Sequence, residues 1–171
     1  EVREPFLGKL RFGTDIGGVI LKPRWNPHVR PWDSEEGLDP ASPEVPEACS
    51  TLAELVKLLG AENVFVVSTC GENMEKETSE ILRKLKFFER TGILPDNVYF
   101  RRERSGPEGK GVIAGKLGLT HFVDDKDEVL RSIYQDPAGN AAQSMKANGG
   151  MLFHFRPVHG RGSQRKRSGQ P

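Results

Sequence analysis

The sequence LRFGTDIGGVIL, from Leu10 to Leu21, decides how the rest of the chain is interpreted. Its first half carries the apolar residues Leu10 and Phe12 and is interpreted as a short strand, which leads to a carboxylate, Asp15. Gly17 and Gly18 follow before apolar residues resume, so the backbone can turn sharply there and approach a ligand closely. This stretch therefore predicts a first strand with a functional side chain at its carboxyl end.

Segments with the pattern of strands and of helices alternate along the chain. Strands are predicted at 10–15, 63–69, 97–102, 120–125 and 151–155, and helices at 48–59, 75–90, 111–117 and 127–135. Such alternation indicates right-handed crossovers between parallel strands. The expected fold class is α/β, a three-layer Rossmann-like parallel sheet of about five strands, in which ligands bind at the carboxyl ends of the strands.

Length and composition favour one domain followed by a basic tail. The 171 residues are enough to bury a substantial core, and no apolar run approaches the roughly 20 residues that span a bilayer. We assign residues 1–156 to the domain. Its part 22–47 holds six prolines and both tryptophans, which predicts a surface loop or small lid and no large cap domain. Residues 157–171 are predicted to be a disordered basic tail.

Charge is unevenly distributed along the chain. The net charge is +1, but the part from Arg156 onward has five basic and no acidic residues, so the remainder is mildly acidic. The tail is interpreted as a solvated terminus, a contact with nucleic acid or a nuclear address. Two cysteines favour a reducing compartment. We therefore expect a cytoplasmic protein, or a nuclear one if the tail is an address, with no membrane association.

The predicted strand ends bring related side chains to one edge of the sheet. They deliver Asp15, then Ser68 and Thr69, then Arg101 and Arg102, then Asp124 and Asp125, while Lys110 stands at the start of a helix. Carboxylates from two strands repel unless a cation lies between them, and oxygen ligands select a hard ion such as Mg²⁺, which also binds phosphate oxygens. A hydroxyl and an ammonium would hold the remaining phosphate oxygens. A carboxylate could attack phosphorus and form an aspartyl-phosphate.

These motifs, in this order, resemble the four motifs of the haloacid dehalogenase (HAD) superfamily of phosphohydrolases. The segments that carry the resemblance are DIGGVI, VFVVS, a lysine and HFVDD, and together they cover about residues 9–135. The resemblance implies that Asp15 is the nucleophile and first metal ligand and that the Ser68 hydroxyl binds the phosphoryl group. It implies that Lys110 is the lysine of the third motif, with Lys116 as the alternative. It also implies that Asp124 and Asp125 are the pair that binds Mg²⁺. It implies a phosphatase acting on a phosphorylated small molecule or macromolecule.

Gly17 departs from the pattern of that family. Its phosphatases usually carry a second aspartate at this position, which protonates the leaving group. The Gly17 carbonyl can still coordinate the metal, but general acid catalysis, typically worth about 10²–10⁴-fold, is lost. Either the leaving group needs no proton, as in a phosphoanhydride, acyl phosphate or phosphonate, or His28 or Asp33 substitutes for the acid. Alternatively, the protein is a binding or regulatory module that recognises phosphorylated ligands or nucleic acid.

The segment TDIGGVI also resembles the first phosphate loop of sugar kinases and other actin-like ATPases, written Asp-x-Gly-Gly-Thr. In that family the aspartate binds the metal through water, and glycines such as Gly18 let backbone N–H groups approach the nucleotide phosphates. Val19 stands where a hydroxyl residue is expected, and a proline-rich segment follows where hairpin strands should continue. The HAD interpretation is therefore preferred.

Each candidate residue also has a plainer interpretation. Asp124 and Asp125 could cap the helix that follows them, a common use of aspartate. Ser68 and Thr69 could simply end a strand. The arginines at 101 and 102 fit a solvated charged edge as well as a clamp for a substrate anion.

Overall fold

The structure is a computed structural model, and it describes residues 10–22, 43–102, 109–135, 145 and 149–156. One sheet of five parallel strands runs through the described part of the chain. The strands are β1 (Phe12–Thr14), β2 (Val64–Thr69), β3 (Val98–Arg101), β4 (His121–Asp124) and β5 (Met151–His154). Their order across the sheet is β3-β2-β1-β4-β5, and every neighbouring pair is parallel.

Within the described ranges, five helices with defined bounds lie on the two faces of this sheet. They are α1 (Ala48–Leu59), α2 (Glu72–Lys84), α3 (Phe87–Thr91), α4 (Lys110–Lys116) and α5 (Asp127–Tyr134), with short 3₁₀ turns at Ala61–Asn63 and Pro95–Asn97. Residues of α1, α2 and α3 pack on one face, and residues of α4 and α5 pack on the other. The predicted three-layer α/β fold is confirmed, and the described residues contain no cap domain.

Strand β2 holds the two halves of the core together. Val64 and Val66 belong to the apolar cluster under α1–α3, whereas Phe65 and Val67 belong to the cluster under α4 and α5. All four side chains are buried. The uninterrupted apolar run of this segment therefore has a simple cause, because a central strand of a three-layer fold is covered on both faces.

One predicted helix is divided in two. A single helix was expected over 75–90, but α2 ends at Lys84 and the chain turns through Lys86, whose φ of 51° is left-handed. The turn lets Phe87 become fully buried, and its ring meets that of Phe88 edge-on with centroids 5.5 Å apart. Periodicity could not show this break, because neither glycine nor proline marks it in the sequence.

The proline-rich segment is described only at its two ends. Lys22 donates its backbone N–H to the Pro43 carbonyl over 2.8 Å, and Leu21 forms an antiparallel bridge with Glu44. The segment thus leaves and re-enters the domain at one point. The rest of the predicted loop, 23–42, and the predicted tail, 157–171, lie outside the described residues.

Within the described ranges, no helix is both long and apolar enough to cross a membrane.

Candidate functional site

The central feature of the sheet is the carboxyl edge of β1 and β4, where the strand order reverses. Thr14 and Val123 are paired across these strands, and Asp15 and Asp124 each follow that pair by one residue. The Asp15 backbone N–H donates to the Val123 carbonyl over 3.0 Å, which holds the two strand ends side by side. Open parallel sheets bind ligands at such a switch point. The first and fourth predicted strand ends therefore meet there.

Lys110 lies between the two carboxylates. Its Nζ is 2.6 Å from Asp124 Oδ2 and 2.9 Å from Asp15 Oδ1. Lys110 is 1% exposed and Asp124 is fully buried. A lysine is almost never buried to this degree without charged partners. Lys116, the alternative candidate, is exposed at the other end of α4, so Lys110 is the lysine that the fold brings to the carboxylates.

Backbone donors orient both carboxylates. The Ile16 N–H donates to Asp15 Oδ1 over 2.7 Å, and the Lys126 N–H donates to Asp124 Oδ1 over 2.9 Å. Asp15 Oδ1 thus accepts from two donors, whereas no described donor contacts Asp15 Oδ2. Asp124 thus belongs to the turn between β4 and α5, as its plainer interpretation expects, but neither Asp124 nor Asp125 caps the helix, because the N-cap residue of α5 is Lys126 and no side chain caps it.

Asp125 supplies a third carboxylate. One oxygen from each of Asp15, Asp124 and Asp125 can be chosen so that all three lie within 4.8 Å of one another. The Asp125 Oδ1 atom is buried and has no hydrogen-bond partner. A buried carboxylate oxygen without a donor is costly unless something else binds it. This oxygen is therefore free of protein donors among the described residues and could bind a cation.

The carboxylates of this cluster outnumber its ammonium group. Three carboxylates face one ammonium, so the ionised cluster of Asp15, Asp124, Asp125 and Lys110 carries two excess negative charges. Burial raises the pKa of Asp15, opposed by the Lys110 ammonium and reinforced by the charge of Asp124. Burial also raises the pKa of Asp125, with the charge of Asp15 adding to it. An all-oxygen donor set fits a hard divalent cation, and Asp15, Asp124 and Asp125 are the residues that could hold one.

Gly18 makes room for Asp125. Its φ is +78°, and a Cβ built on it would overlap the Asp125 carboxylate. Its N–H donates to the Leu21 carbonyl over 2.8 Å within the turn. This N–H is therefore used within the turn, and the substrate-binding role of Gly18 stays a prediction. The glycine instead lets the Asp125 carboxylate lie against the loop.

Gly17 faces open space. A Cβ built on this residue would meet no atom within 4 Å, and its φ lies outside the left-handed region. A side chain at position 17 is therefore tolerated by the fold. Steric crowding therefore does not explain why position 17 lacks an acidic side chain.

The remaining candidates lie at increasing distance from β1. Ser68 is buried at the end of β2, the neighbour of β1, and Thr69 beside it is partly exposed. Arg101 ends the edge strand β3, two strands and so about 10 Å across from β1, and its guanidinium lies 5.8 Å from the centre of the Tyr99 ring. Arg102 extends into solvent, and its Nη2 lies 3.9 Å from a Glu72 oxygen. Arg102 is therefore part of an exposed charged edge.

Sequence reasoning missed three contacts of this site. Two are the backbone donors Ile16 and Lys126, which no residue pattern identifies, because any amino acid supplies an N–H. The third is His154 at the end of β5, whose Nε2 lies 3.2 Å from the Asp125 carbonyl oxygen. This contact depends on the pairing of β4 with β5, in which Asp124 is opposite His154. It could not be inferred without the strand order.

The chain matches no protein-family model, and no curated protein or solved structure is significantly similar to it. The functional interpretation therefore depends on the geometry of the acidic cluster, its lysine and the glycine turn.

We expect Lys110→Met to lower the free energy of unfolding by about 3–5 kcal/mol, since it leaves buried carboxylates without their counter-charge. Urea denaturation in the presence of a chelator measures this. Lys116→Met is the matched control on the same helix, and we expect it to change stability by less than about 0.5 kcal/mol because Lys116 is exposed. Equal losses for the two variants would contradict the buried ion pair.

Gly18→Ala should weaken divalent cation binding by about 10–100-fold, as expected when a group that positions a ligand is lost. The added methyl group displaces the Asp125 carboxylate. Titration calorimetry with Mg²⁺ and Mn²⁺ measures the affinity, and circular dichroism verifies that the variant is folded. Gly17→Ala is the control, because its Cβ enters open space and the affinity should not change. Unaltered binding by Gly18→Ala would exclude Asp125 as a ligand.

Proposed function

We propose that this chain is a Mg²⁺-dependent phosphohydrolase or phosphotransferase of the HAD type that acts on a phosphorylated substrate through Asp15. The observation that carries the proposal is the buried Lys110 shared by Asp15 and Asp124, with Asp125 and its unpartnered oxygen beside them. A structural ion pair would need one carboxylate. A third, with a buried oxygen that no donor contacts, suits a site that receives a cation and an anionic ligand together.

The Asp15 carboxylate is suited to nucleophilic attack. Its Oδ1 is held by Lys110 and by the Ile16 N–H, which leaves Oδ2 as the oxygen directed to a substrate. In the proposed reaction, this oxygen forms a bond to phosphorus while the bond between phosphorus and the leaving oxygen breaks. Water then attacks the aspartyl-phosphate, which releases inorganic phosphate and restores Asp15. An acceptor alcohol in place of water makes the reaction a phosphotransfer.

Other residues of the chain stabilise the charge that develops. The Lys110 ammonium lies 2.9 Å from the attacking carboxylate, and it offsets the negative charge shared between Asp15 and the phosphoryl group. Ser68, on the strand next to β1, offers a hydroxyl for a phosphoryl oxygen. When bound, Mg²⁺ would draw the phosphoryl oxygens to the three aspartates and neutralise the excess negative charge. Asp15, Asp124, Asp125 and the Gly17 carbonyl are the proposed ligands.

The leaving group is proposed to be a weak base. The four ionisable groups of the acidic cluster are each assigned to the nucleophile, the ion pair or the cation. His154 contacts the Asp125 carbonyl oxygen, and the predicted substitutes His28 and Asp33 lie outside the described residues. Gly17 supplies no acid. A phosphoanhydride or acyl phosphate releases a group that needs no proton, and it fits this site better than an alkyl phosphate ester does.

The actin-like alternative is disfavoured by the pairing of β1. That fold requires an antiparallel hairpin after the phosphate loop, but β1 is bonded on both sides to parallel neighbours, β2 and β4. No edge of β1 is left for a hairpin partner.

Asp15→Asn should reduce Mg²⁺-dependent hydrolysis of acetyl phosphate and of an aryl phosphate by roughly 10³-fold or more, because the amide is not a nucleophile. Phosphate release is the measurement, and Asp96→Asn, on the surface, is the control. The pKa of Asp15 is raised, so ionisation of its carboxyl lowers the free energy of unfolding as the pH rises through that pKa. Without metal, the Asp15→Asn variant should therefore be at least as stable as the wild type at neutral pH. No Asp15-dependent turnover of either substrate would favour a module that binds phosphorylated ligands.

Gly17→Asp should raise turnover of the alkyl phosphate glycerol phosphate, by up to the roughly 10²–10⁴-fold that a positioned acid contributes, and should change acetyl phosphate turnover much less. The open space at position 17 accommodates the side chain. Gly17→Asn, of nearly the same shape but without an acid, should give no such gain. The ratio of the two substrate rates is measured for each variant. An equal gain on both substrates would contradict the proposed lack of a proton donor.

A further inference from the structure

The peptide group that joins Asp125 to Lys126 is hydrogen-bonded at both of its ends. Its N–H, which belongs to Lys126, donates to Asp124 Oδ1 over 2.9 Å. Its carbonyl oxygen, which belongs to Asp125, lies 3.2 Å from Nε2 of His154. A carbonyl oxygen only accepts hydrogen bonds, so Nε2 is the ring nitrogen that carries a proton and donates it here. One planar group therefore connects His154 to the acidic cluster.

The register of β5 brings His154 to this peptide. His154 is paired with Asp124 of β4, and the Phe155 N–H donates to the Asp124 carbonyl over 2.9 Å, which fixes the end of β5 beside the end of β4. Leu152 packs on the apolar cluster under α4 and α5, and His154, two residues further along the strand, lies on the same face of the sheet. The turn from β4 to α5 leads to that face, within reach of the imidazole.

Two carboxylates depend on how this peptide is oriented. Asp124 Oδ2 is bonded to Lys110, and the Lys126 N–H is the donor to the other Asp124 oxygen. Asp125 supplies the carbonyl of the peptide, so a rotation of the peptide would also turn the backbone that carries the Asp125 side chain. Asp125 Oδ1 has no hydrogen-bond partner among the described residues, so no bond to that atom opposes such a rotation. Because the N–H and C=O of a trans peptide point in opposite directions, His154 holds this group from the side opposite Asp124.

We propose that His154 is a positioning residue of the cation site, which orients the peptide between Asp125 and Lys126 and, through it, the carboxylates of Asp124 and Asp125. A hydrogen bond to the carbonyl also polarises the amide and makes its N–H a stronger donor. The contact is with the Asp125 backbone, so His154 acts through the peptide and is not itself a proposed ligand. Groups that orient ligands from outside the ligand set commonly control metal affinity. The effect on the cation rests on the proposed function, whereas the orientation of the peptide does not.

Amide hydrogen exchange of the metal-free protein tests the orientation of the peptide. In the presence of a chelator at neutral pH, we expect the Lys126 N–H to exchange about 2–10-fold faster in His154→Ala than in the wild type, the factor that one net hydrogen bond contributes. Exchange at Val66, a buried residue of the interior strand β2, reports on global unfolding and should not change. An unchanged exchange rate at Lys126 in the folded variant would overturn the inference.

Two amide variants separate this hydrogen bond from other effects of the side chain. The amide nitrogen of glutamine is as many bonds from Cβ as Nε2 of histidine, so His154→Gln should restore slow exchange at Lys126. The amide nitrogen of asparagine is one bond closer to Cβ, so His154→Asn should behave like His154→Ala. Met151→Ala, at the exposed start of β5, is the control for disturbing the strand and should leave Lys126 unchanged. If His154→Gln exchanges as fast as His154→Ala, the hydrogen bond is not the cause and the inference is wrong.

Titration calorimetry with Mg²⁺ and Mn²⁺ tests the effect on the cation. His154→Ala should weaken binding by about 2–10-fold, and His154→Gln should retain the wild-type affinity. Gly18→Ala and His154→Ala both act through Asp125, so the loss in the double variant should be smaller than the product of the two single losses. Wild-type affinity in His154→Ala would contradict the positioning of the carboxylates. Failure of the wild type to bind either cation would contradict the proposed function, and the exchange rates would still decide whether His154 orients the peptide.

Discussion

The buried contact of Lys110 with Asp15 and Asp124 is the interaction on which the site depends. It ties the first turn of α4 to the ends of β1 and β4, with Nζ–O distances of 2.9 and 2.6 Å. Two carboxylates at adjacent strand ends would repel each other without it, and the charge of a buried lysine would be equally costly without them. The ion pair therefore fixes the position of α4 relative to the sheet, and it does so at the point where ligands bind in such folds.

The same contact leaves the cluster incomplete. One ammonium cannot neutralise three carboxylates, and burial raises the pKa of both Asp15 and Asp125. Asp125 Oδ1 is buried without a donor, and Gly18 lets this carboxylate lie against the loop. Stability and proposed function thus oppose each other here. The carboxylates of the cluster outnumber its ammonium group, and in the proposed function a bound divalent cation would offset the excess negative charge.

The two faces of the sheet have different roles. On one face, α4 and α5 pack over β4 and deliver Lys110 to the acidic cluster. On the other, among the described residues, α1 to α3 cover only one half of the sheet, and an apolar groove of about 460 Å³ lies beside β4 and β5. Both features follow from the strand order β3-β2-β1-β4-β5, since the direction of each crossover decides which face its helix covers.

The sequence was sufficient to predict the strands, most of the helices and the α/β class, because apolar periodicity is a local property. It was also sufficient to select Asp15, Lys110, Asp124 and Asp125, because strand ends and a helix start can be recognised from neighbouring residues. The break at Lys86 was hidden, because burial of Phe87 imposes it and no turn residue signals it.

Only the tertiary structure decided which candidates meet. The pairing of β1 with β4 brings Asp15 to Asp124, the crossover through α4 selects Lys110 over Lys116, and the edge position of β3 places Arg101 and Arg102 away from β1. The close approach of Asp125 to Gly18 is likewise invisible along the chain, since 107 residues separate them. Residue types determine which chemical groups the chain contains, whereas the pairing of the strands determines which of those groups lie close enough to act together.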